Sequence, residues 1–136
     1  MTESMDVKMG SAAAVGGALG AISRYVLFIW MPVVSFPLAT LIVNYLGSFI
    51  LGALTEYAGK KRINEWVRLA IGTGFCGGLT TMSTFSKEMV YMFQIGKEGS
   101  ALVYFISSLV GGLLFCFLGT NVAARIVETK ETLAGE

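Results

Sequence analysis

The chain has 136 residues, of which 54% are hydrophobic and only 14% are charged, and it contains no histidine. Its mean hydropathy is +0.70. This composition excludes an ordinary soluble domain, in which about a quarter of the residues are charged, and it excludes disorder, which needs low hydrophobicity. Without histidine and without an evident nucleophile–base pair, we do not expect an enzyme. The net charge of +1 offers no general attraction to nucleic acid.

Four apolar stretches follow one another along the chain, at residues 11–31, 38–57, 66–93 and 99–124. A membrane-spanning helix needs about 20 apolar residues, and these stretches are too long and too continuous to be the alternating strands of a barrel. The sequence therefore predicts an all-α membrane protein, with four transmembrane helices in a single domain over residues 1–136. We expect the charged tail from Arg125 onward to be a short helical end that then frays.

The loops predict how the chain lies in the cell membrane. The connection bounded by Pro32 and Pro37 has no basic residue, and the connection after the third stretch has only Lys97. The side that carries both termini and the middle loop holds Lys8, Lys60, Lys61, Arg62, Arg68, Arg125 and Lys130. The positive-inside rule then predicts a multi-pass protein with cytoplasmic termini.

The third stretch combines glycine with hydroxyl side chains in a way that is unusual for a membrane helix. Glycine pairs weaken a helix by up to about 1 kcal/mol per residue relative to alanine, so one interpretation is a break at residues 77–81. Unwound carbonyls there would suit a small monovalent cation. The other interpretation is a continuous helix whose hydroxyls bond back to carbonyls one turn earlier. The residues concerned are Gly74, Gly77, Gly78, Thr80, Thr81, Ser83, Thr84 and Ser86.

The segment at residues 77–86, GGLTTMSTFS, resembles the GGLTTFSTFS motif of the Fluc family of fluoride channels at all but one position. The TLIVN segment at residues 40–44, followed by Gly47, is similar to the T-x-x-V-N element of that family. The GAISR segment at residues 20–24 is similar to the G-x-x-x-R of its first helix. Chain length and the four-helix layout agree, so the resemblance spans nearly the whole chain.

The resemblance implies a passive, fluoride-selective channel that exports fluoride from the cytoplasm. The family's fold is an antiparallel, dual-topology dimer of four-helix subunits, with two pores and a structural Na⁺ at the centre. The implied Na⁺ ligands are the backbone carbonyls of Gly77 and Thr80, and Arg24 is implied to lie near a vestibule. The residues implied along the pore are Thr40, Asn44, Met82, Thr84, Phe85, Glu88, Tyr104 and Ser108.

Neutral donors suit fluoride, because a pore must replace its water and still release it. Amide N–H groups, hydroxyls and the positive edges of aromatic rings can do this. Structural alternatives stay open at three positions. Tyr104 would serve equally as an interfacial belt residue, Ser108 as a helix-packing hydroxyl, and Lys87 with Glu88 as markers of a helix end.

Two positions depart from the family pattern, and the charge distribution raises a further question. Met82 stands where the family usually has the first of two pore phenylalanines, and Gly112 replaces a frequent serine. Antiparallel homodimers need subunits that insert both ways, with balanced loop charges, but the basic residues here are one-sided. Our hypothesis is that this chain pairs with a related chain of opposite bias, the homodimer being the alternative.

Two other functions remain open from the residues. A small four-helix drug/proton antiporter needs a membrane-embedded carboxylate, and Glu88 is the only candidate. The chain would also fit the role of a non-conducting subunit of a heterodimeric fluoride channel, which Met82 and Gly112 favour.

Overall fold

The computed structural model describes residues 2–31 and 36–134, and within these residues every regular element is helical. In chain order the elements are α1 (Thr2–Trp30), α2 (Leu38–Lys60), α3 (Glu65–Arg68), a π-helix (Leu69–Cys76), α4 (Gly77–Leu79), α5 (Met82–Gln94) and α6 (Glu98–Ala134). Three of them, α1, α2 and α6, are long and apolar enough to cross a membrane. The third apolar stretch is divided among α3, the π-helix, α4 and α5. The predicted all-α protein with four helical stretches, the third one broken, is confirmed.

The C-terminal tail does not fray where we predicted it would, because α6 continues to Ala134. Its last turns lie against the end of α2. Lys61 Nζ is 2.8 Å from Glu131 Oε1, and Lys60 Nζ is 4.0 Å from Glu128 Oε1. Exposed ion pairs are individually weak. These two lie on the same face of α6, and together they hold its last turns against the end of α2.

The start of α1, the end of α6 and the middle connection lie at the same end of the bundle, as predicted. Near the start of α1, the Nζ of Lys8 lies 5.4 Å from the ring centroid of Trp66 in α3. The pairs between α2 and α6 lie at that end as well. We call the end of the bundle marked by Lys8, Lys60, Lys61 and Arg68 the basic end. The connection predicted between the first two helices includes residues 32–35, which lie outside the described residues.

Glycines allow the helices to pack in two close pairs. A Cβ added at Gly16 or Gly20 of α1 would collide with backbone carbonyls of the π-helix. Helices α2 and α6 meet in the same way, since a Cβ at Gly52 would collide with the carbonyl oxygen of Cys116. Small residues serve this purpose in membranes, where no hydrophobic effect drives helices together.

The core between α2, α5 and α6 is small. It consists of Leu41, Phe85, Met92, Ala101 and Tyr104. Many large apolar side chains remain exposed, which is how the outer surface of a membrane protein looks when its solvent is lipid. The fold therefore depends on close backbone contacts and on a few polar contacts, and the polar contacts gather around the break.

Candidate functional site

The break in the third stretch is two residues long. Thr80 (φ −76°, ψ 156°) and Thr81 (φ −146°, ψ 121°) have extended backbones, whereas Gly77–Leu79 are helical. The predicted break at residues 77–81 is confirmed at its last two positions, and a continuous helix is the wrong interpretation. One part of that alternative survives, because Thr80 Oγ1 donates to the carbonyl of Cys76 at 2.8 Å.

Asn44 of α2 replaces the hydrogen bonds that the backbone loses at the break. Its Nδ2 donates to the carbonyl of Thr81 at 3.2 Å, and the N–H of Thr81 donates to Asn44 Oδ1 at 2.8 Å. In a continuous α-helix that N–H would donate to the carbonyl of Gly77. Asn44, predicted as a donor to fluoride, therefore fixes the shape of the break and keeps one amide hydrogen uncommitted.

Arg24 of α1 holds the other carbonyl of the break. Its Nη1 donates to the carbonyl oxygen of Thr80 at 3.0 Å. A cation at the C-terminal end of a helix is favourable, because the last carbonyls carry partial negative charge. The vestibule position implied for Arg24 stays a prediction, and the contact in the structure is with the backbone at the break. Two consecutive carbonyls are thus held from two different helices.

The break passes directly into the N-terminus of α5. Thr81 is the N-cap residue, and its Oγ1 accepts from the N–H of Thr84 at 3.2 Å. The same hydroxyl donates to Thr84 Oγ1 at 3.0 Å. Such a cap is worth about 1 kcal/mol. Thr84, implied along the pore, takes part in this cap.

A carboxylate connects three helices farther along α5. Glu88 Oε1 accepts from Thr40 Oγ1 at 3.0 Å, and Glu88 Oε2 accepts from Tyr104 Oη at 2.7 Å. We call Thr40, Glu88 and Tyr104 the polar bridge. Thr40 and Tyr104 are both 0% exposed, so the interfacial belt is the wrong interpretation of Tyr104. Lys87 and Glu88 do not mark a helix end either, because α5 continues to Gln94.

Phe85 lies between the polar bridge and an open groove. Its ring centroid is 4.9 Å from that of Tyr104, with the planes inclined by 43°, and 6.4 Å from that of Phe105. Phe85 is only 8% exposed. Packing against the buried Tyr104 fixes the orientation of the ring whose edge was predicted to face fluoride.

Two adjoining grooves run along the face where α2, α5 and α6 meet the break. The first, of about 490 Å³, is the break groove, and its polar lining comprises Asn44, Ser48, Thr73, Thr80, Thr81 and Ser108. The second, of about 450 Å³, is the aromatic groove, to which Phe85 and Phe105 contribute. Asn44, Ser48, Met82 and Ser108 line both. Within the described residues no charged side chain lines either groove, so their polar groups are hydroxyls, amides and backbone.

The structure separates the predicted pore residues into distinct sets. Asn44, Met82, Phe85 and Ser108 line the grooves, and the predicted carbonyl ligands Gly77 and Thr80 line the break groove. The other implied pore residues make the contacts already described: Thr40, Glu88 and Tyr104 in the polar bridge, and Thr84 in the cap. Their pore roles stay predictions.

Sequence reasoning missed three residues of this region. Ser48 is four residues after Asn44 on α2, a spacing that places both on one helix face and was available as a signal. Thr81 stood inside the recognised motif, but its partner on α2 is distant in sequence. Thr73 lines the break groove because of the helical register of the third stretch, which composition does not reveal.

Gly77 occupies an unusual position on the groove wall. A Cβ added there would meet nothing within 4 Å in the described part of the chain, whereas at the next residue, Gly78, it would collide with the carbonyl oxygen of Gly17. The carbonyl of Gly77 has also lost the N–H of Thr81 to Asn44. Packing inside this chain therefore explains why residue 78 must be glycine, but it does not explain the glycine at residue 77.

Comparisons with known proteins agree with the motif. A family model described as "CrcB-like protein, Camphor Resistance (CrcB)" matches residues 11–120. The chain is 47% identical over 127 residues to "Fluoride-specific ion channel FluC 2" of Bacillus subtilis (strain 168), covering 92% of this chain and 95% of that relative. It is 38% identical over 130 residues to "Fluoride-specific ion channel FluC 2" of Halalkalibacterium halodurans, covering 95% and 96%. It is 46% identical over 109 residues to "Fluoride-specific ion channel FluC 1" of Desulfitobacterium hafniense, covering 79% and 96%.

Proposed function

From the premise that the chain belongs to the CrcB-like family, we propose that it is a passive, fluoride-selective ion channel that exports fluoride from the cytoplasm. The family membership confirms the resemblance drawn from residues 77–86. The chain is a multi-pass membrane protein, and its relatives are named as ion channels rather than as enzymes. Their full-length similarity supports the same activity here.

The observation that carries the proposal is the lining of the two grooves. Fluoride is small and strongly hydrated, so a path needs donors that replace water, and a fixed cation at the narrowest point would hold the ion too long. Asn44 offers an uncommitted amide hydrogen, Ser48 and Ser108 offer hydroxyls, and Phe85 offers a ring edge. These groups are neutral, and they lie on one continuous face.

The path is completed by a second, antiparallel copy, which gives two pores per dimer. In a single chain the grooves are open on one side, and Met82, which lines both, is 72% exposed. Gly77 faces open space. An exposed polar face is costly in lipid, and these features fit a surface that another subunit covers.

A structural Na⁺ at the dimer centre fits the carbonyls at the break. Gly77 offers a carbonyl without its helical donor, and Thr80 offers the second lone pair of a carbonyl whose first is taken by Arg24. When bound, the ion would supply positive charge beside these carbonyls. A test is the melting temperature of the dimer, which should fall when N-methyl-D-glucamine replaces Na⁺, by the linkage of binding to stability.

The second subunit is either another copy or a related chain. The basic residues are concentrated at one end, which favours insertion in a single orientation with cytoplasmic termini. An antiparallel partner would then carry its basic residues at the opposite end. The numbered names FluC 1 and FluC 2 among the relatives fit organisms that have more than one such chain. Expressing this chain alone decides the point. Fluoride efflux from liposomes containing only this chain would rule out an obligate heterodimer, and its absence would favour a heterodimer, in which this chain either conducts with its partner or is the non-conducting subunit.

The function is tested by fluoride efflux from proteoliposomes, with chloride as the control ion. Phe85→Ile removes the ring edge, and Asn44→Asp replaces donors with a negative charge, so both should abolish fluoride efflux. Val90→Ile is a matched control on the same helix, because Val90 is 55% exposed and lines neither groove. Fluoride flux retained in both groove variants would contradict the pore assignment.

A further inference from the structure

A third groove, of about 500 Å³, opens at the basic end of the chain, between α2 and the π-helix. Its lining includes the hydroxyls of Thr55 and Thr73 and the guanidinium of Arg68. We call it the basic-end groove. It shares Leu51, Gly72 and Thr73 with the break groove. The two grooves therefore adjoin at these residues, and we call the two together the surface channel, which extends from Arg68 to Asn44.

The π-helix aligns the wall of this channel. Residues Arg68, Gly72, Cys76 and Thr80, each four apart, all line one groove or the other. In an α-helix such a series drifts around the axis, because a turn has 3.6 residues. The wider turn of a π-helix, with its i→i+5 hydrogen bonds, brings residues four apart back toward one line. The register of the third stretch thus joins the basic end to the break.

Arg68 carries the only charged side chain among the described residues that line these grooves. Its neighbouring carboxylate, Glu65, is 3.8 Å away, and the two side chains are 59% and 68% exposed, so the pair neutralises the guanidinium weakly. Two lysines at the basic end lie closer to carboxylates than Arg68 does. Lys60 lies 3.1 Å from Glu56, and Lys61 lies 2.8 Å from Glu131.

We propose that Arg68 is an anion-attracting residue at the mouth of the path, which raises the local concentration of fluoride in the basic-end groove. The proposal rests on the fluoride-channel function proposed above. A charge in a cleft with low-dielectric walls focuses its field into that cleft. Arg68 is exposed at the basic end, away from the neutral donors at the break, so it recruits anions without holding them at those donors.

The first test is fluoride flux as a function of ionic strength. Arg68→Gln should lower the initial efflux rate about threefold to tenfold in roughly 10 mM salt, and the deficit should shrink near 1 M salt, where the screening length is about 3 Å. Arg68→Lys should restore most of the rate. Arg62→Gln is the matched control, since Arg62 is an exposed cation at the same end but lines none of these grooves. An equal loss in Arg62→Gln, or an unchanged rate in Arg68→Gln at low salt, would overturn the proposal.

The second test does not depend on transport. Thr73 is exposed in the channel, so Thr73→Cys can be modified by a negatively or a positively charged methanethiosulfonate, and its modification read by peptide mass spectrometry. The measured quantity is the rate of modification by the negative reagent divided by the rate of modification by the positive one. Arg68 should raise this ratio, so Arg68→Gln should lower it severalfold. An unchanged ratio would overturn the role of Arg68 even in a conducting protein. If the wild type alone passes no fluoride, the chain does not conduct without a partner, and this ratio still decides whether the groove attracts anions.

Discussion

Asn44 and Thr81 exchange two hydrogen bonds across the interface between α2 and the broken stretch, side-chain amide against backbone peptide. The pairing gives Asn44 a structural task besides any contact with fluoride. Loss of transport in an Asn44 variant would therefore have two causes, a missing donor and a distorted break, and stability separates them.

Asn44→Ala should lower the free energy of unfolding by about 2–4 kcal/mol, because the backbone N–H and the carbonyl of Thr81 both lose their hydrogen-bond partners in a partly buried place. Asn121→Ala is the matched control. Asn121 also donates from its amide, to the carbonyl of Phe117, but in an exposed position within one helix, so its loss should cost under about 1 kcal/mol. Thermal melting in detergent measures both. Equal melting temperatures for Asn44→Ala and the wild type would contradict the structural role.

Gly77 and Gly78 should respond oppositely to alanine. At Gly78 a Cβ meets the backbone of Gly17, which cannot yield easily, so Gly78→Ala should destabilise the subunit by about 1–3 kcal/mol. At Gly77 the space is open, so Gly77→Ala should leave the subunit folded but weaken the dimer. Chemical crosslinking and melting curves distinguish the two effects. A Gly77→Ala protein that dimerises like the wild type would argue against a second subunit at this face.

The polar bridge should show strong coupling between its two hydroxyl donors. Tyr104→Phe leaves Glu88 with one partner fewer, which should cost about 1.5–3 kcal/mol for a hydrogen bond to a charged group. A double-mutant cycle with Thr40→Val should give a coupling energy of about 0.5–3 kcal/mol, because both donors share one carboxylate. Tyr91→Phe is the control and should change stability little, because Tyr91 is an exposed tyrosine of α5, the helix that carries Glu88. Additive effects would mean that the bridge does not act as a unit.

Met82→Phe should raise fluoride flux without changing stability. The side chain is 72% exposed and lines both the break groove and the aromatic groove, so a larger ring fits without strain in this subunit. A phenyl edge is electropositive, whereas a thioether offers an anion no such edge. Efflux from proteoliposomes measures the gain, with Val90→Phe as a control outside the grooves. Unchanged or lower flux would mean that the methionine does not limit conduction.

The sequence predicts the helical stretches and the position of the break well, because both follow from local composition. The glycines that suggested the break are themselves helical, and Gly78 allows the backbone of α1 to approach closely. The end of α6 was predicted wrongly, since the contacts of Glu128 and Glu131 with α2 are distant in sequence. The π-helix left no signal either, because the choice between i→i+4 and i→i+5 bonding depends on packing against neighbours. The pore residues were implied by the resemblance. Only the structure distinguishes those that line the grooves from those that form the polar bridge.

The π-helix also sets the angular phase between the two halves of the third stretch. If Leu69–Cys76 adopted ordinary α-helical bonding without a change of length, each of its residues would turn through a larger angle, about 100°, and everything on the N-terminal side would rotate relative to the break. Trp66 would leave Lys8, and Arg68 would turn away from its groove. The hydrogen-bonding pattern of this segment therefore matters as much as the identity of its residues, and a chain that formed an ordinary α-helix here would keep its hydropathy while losing its alignment.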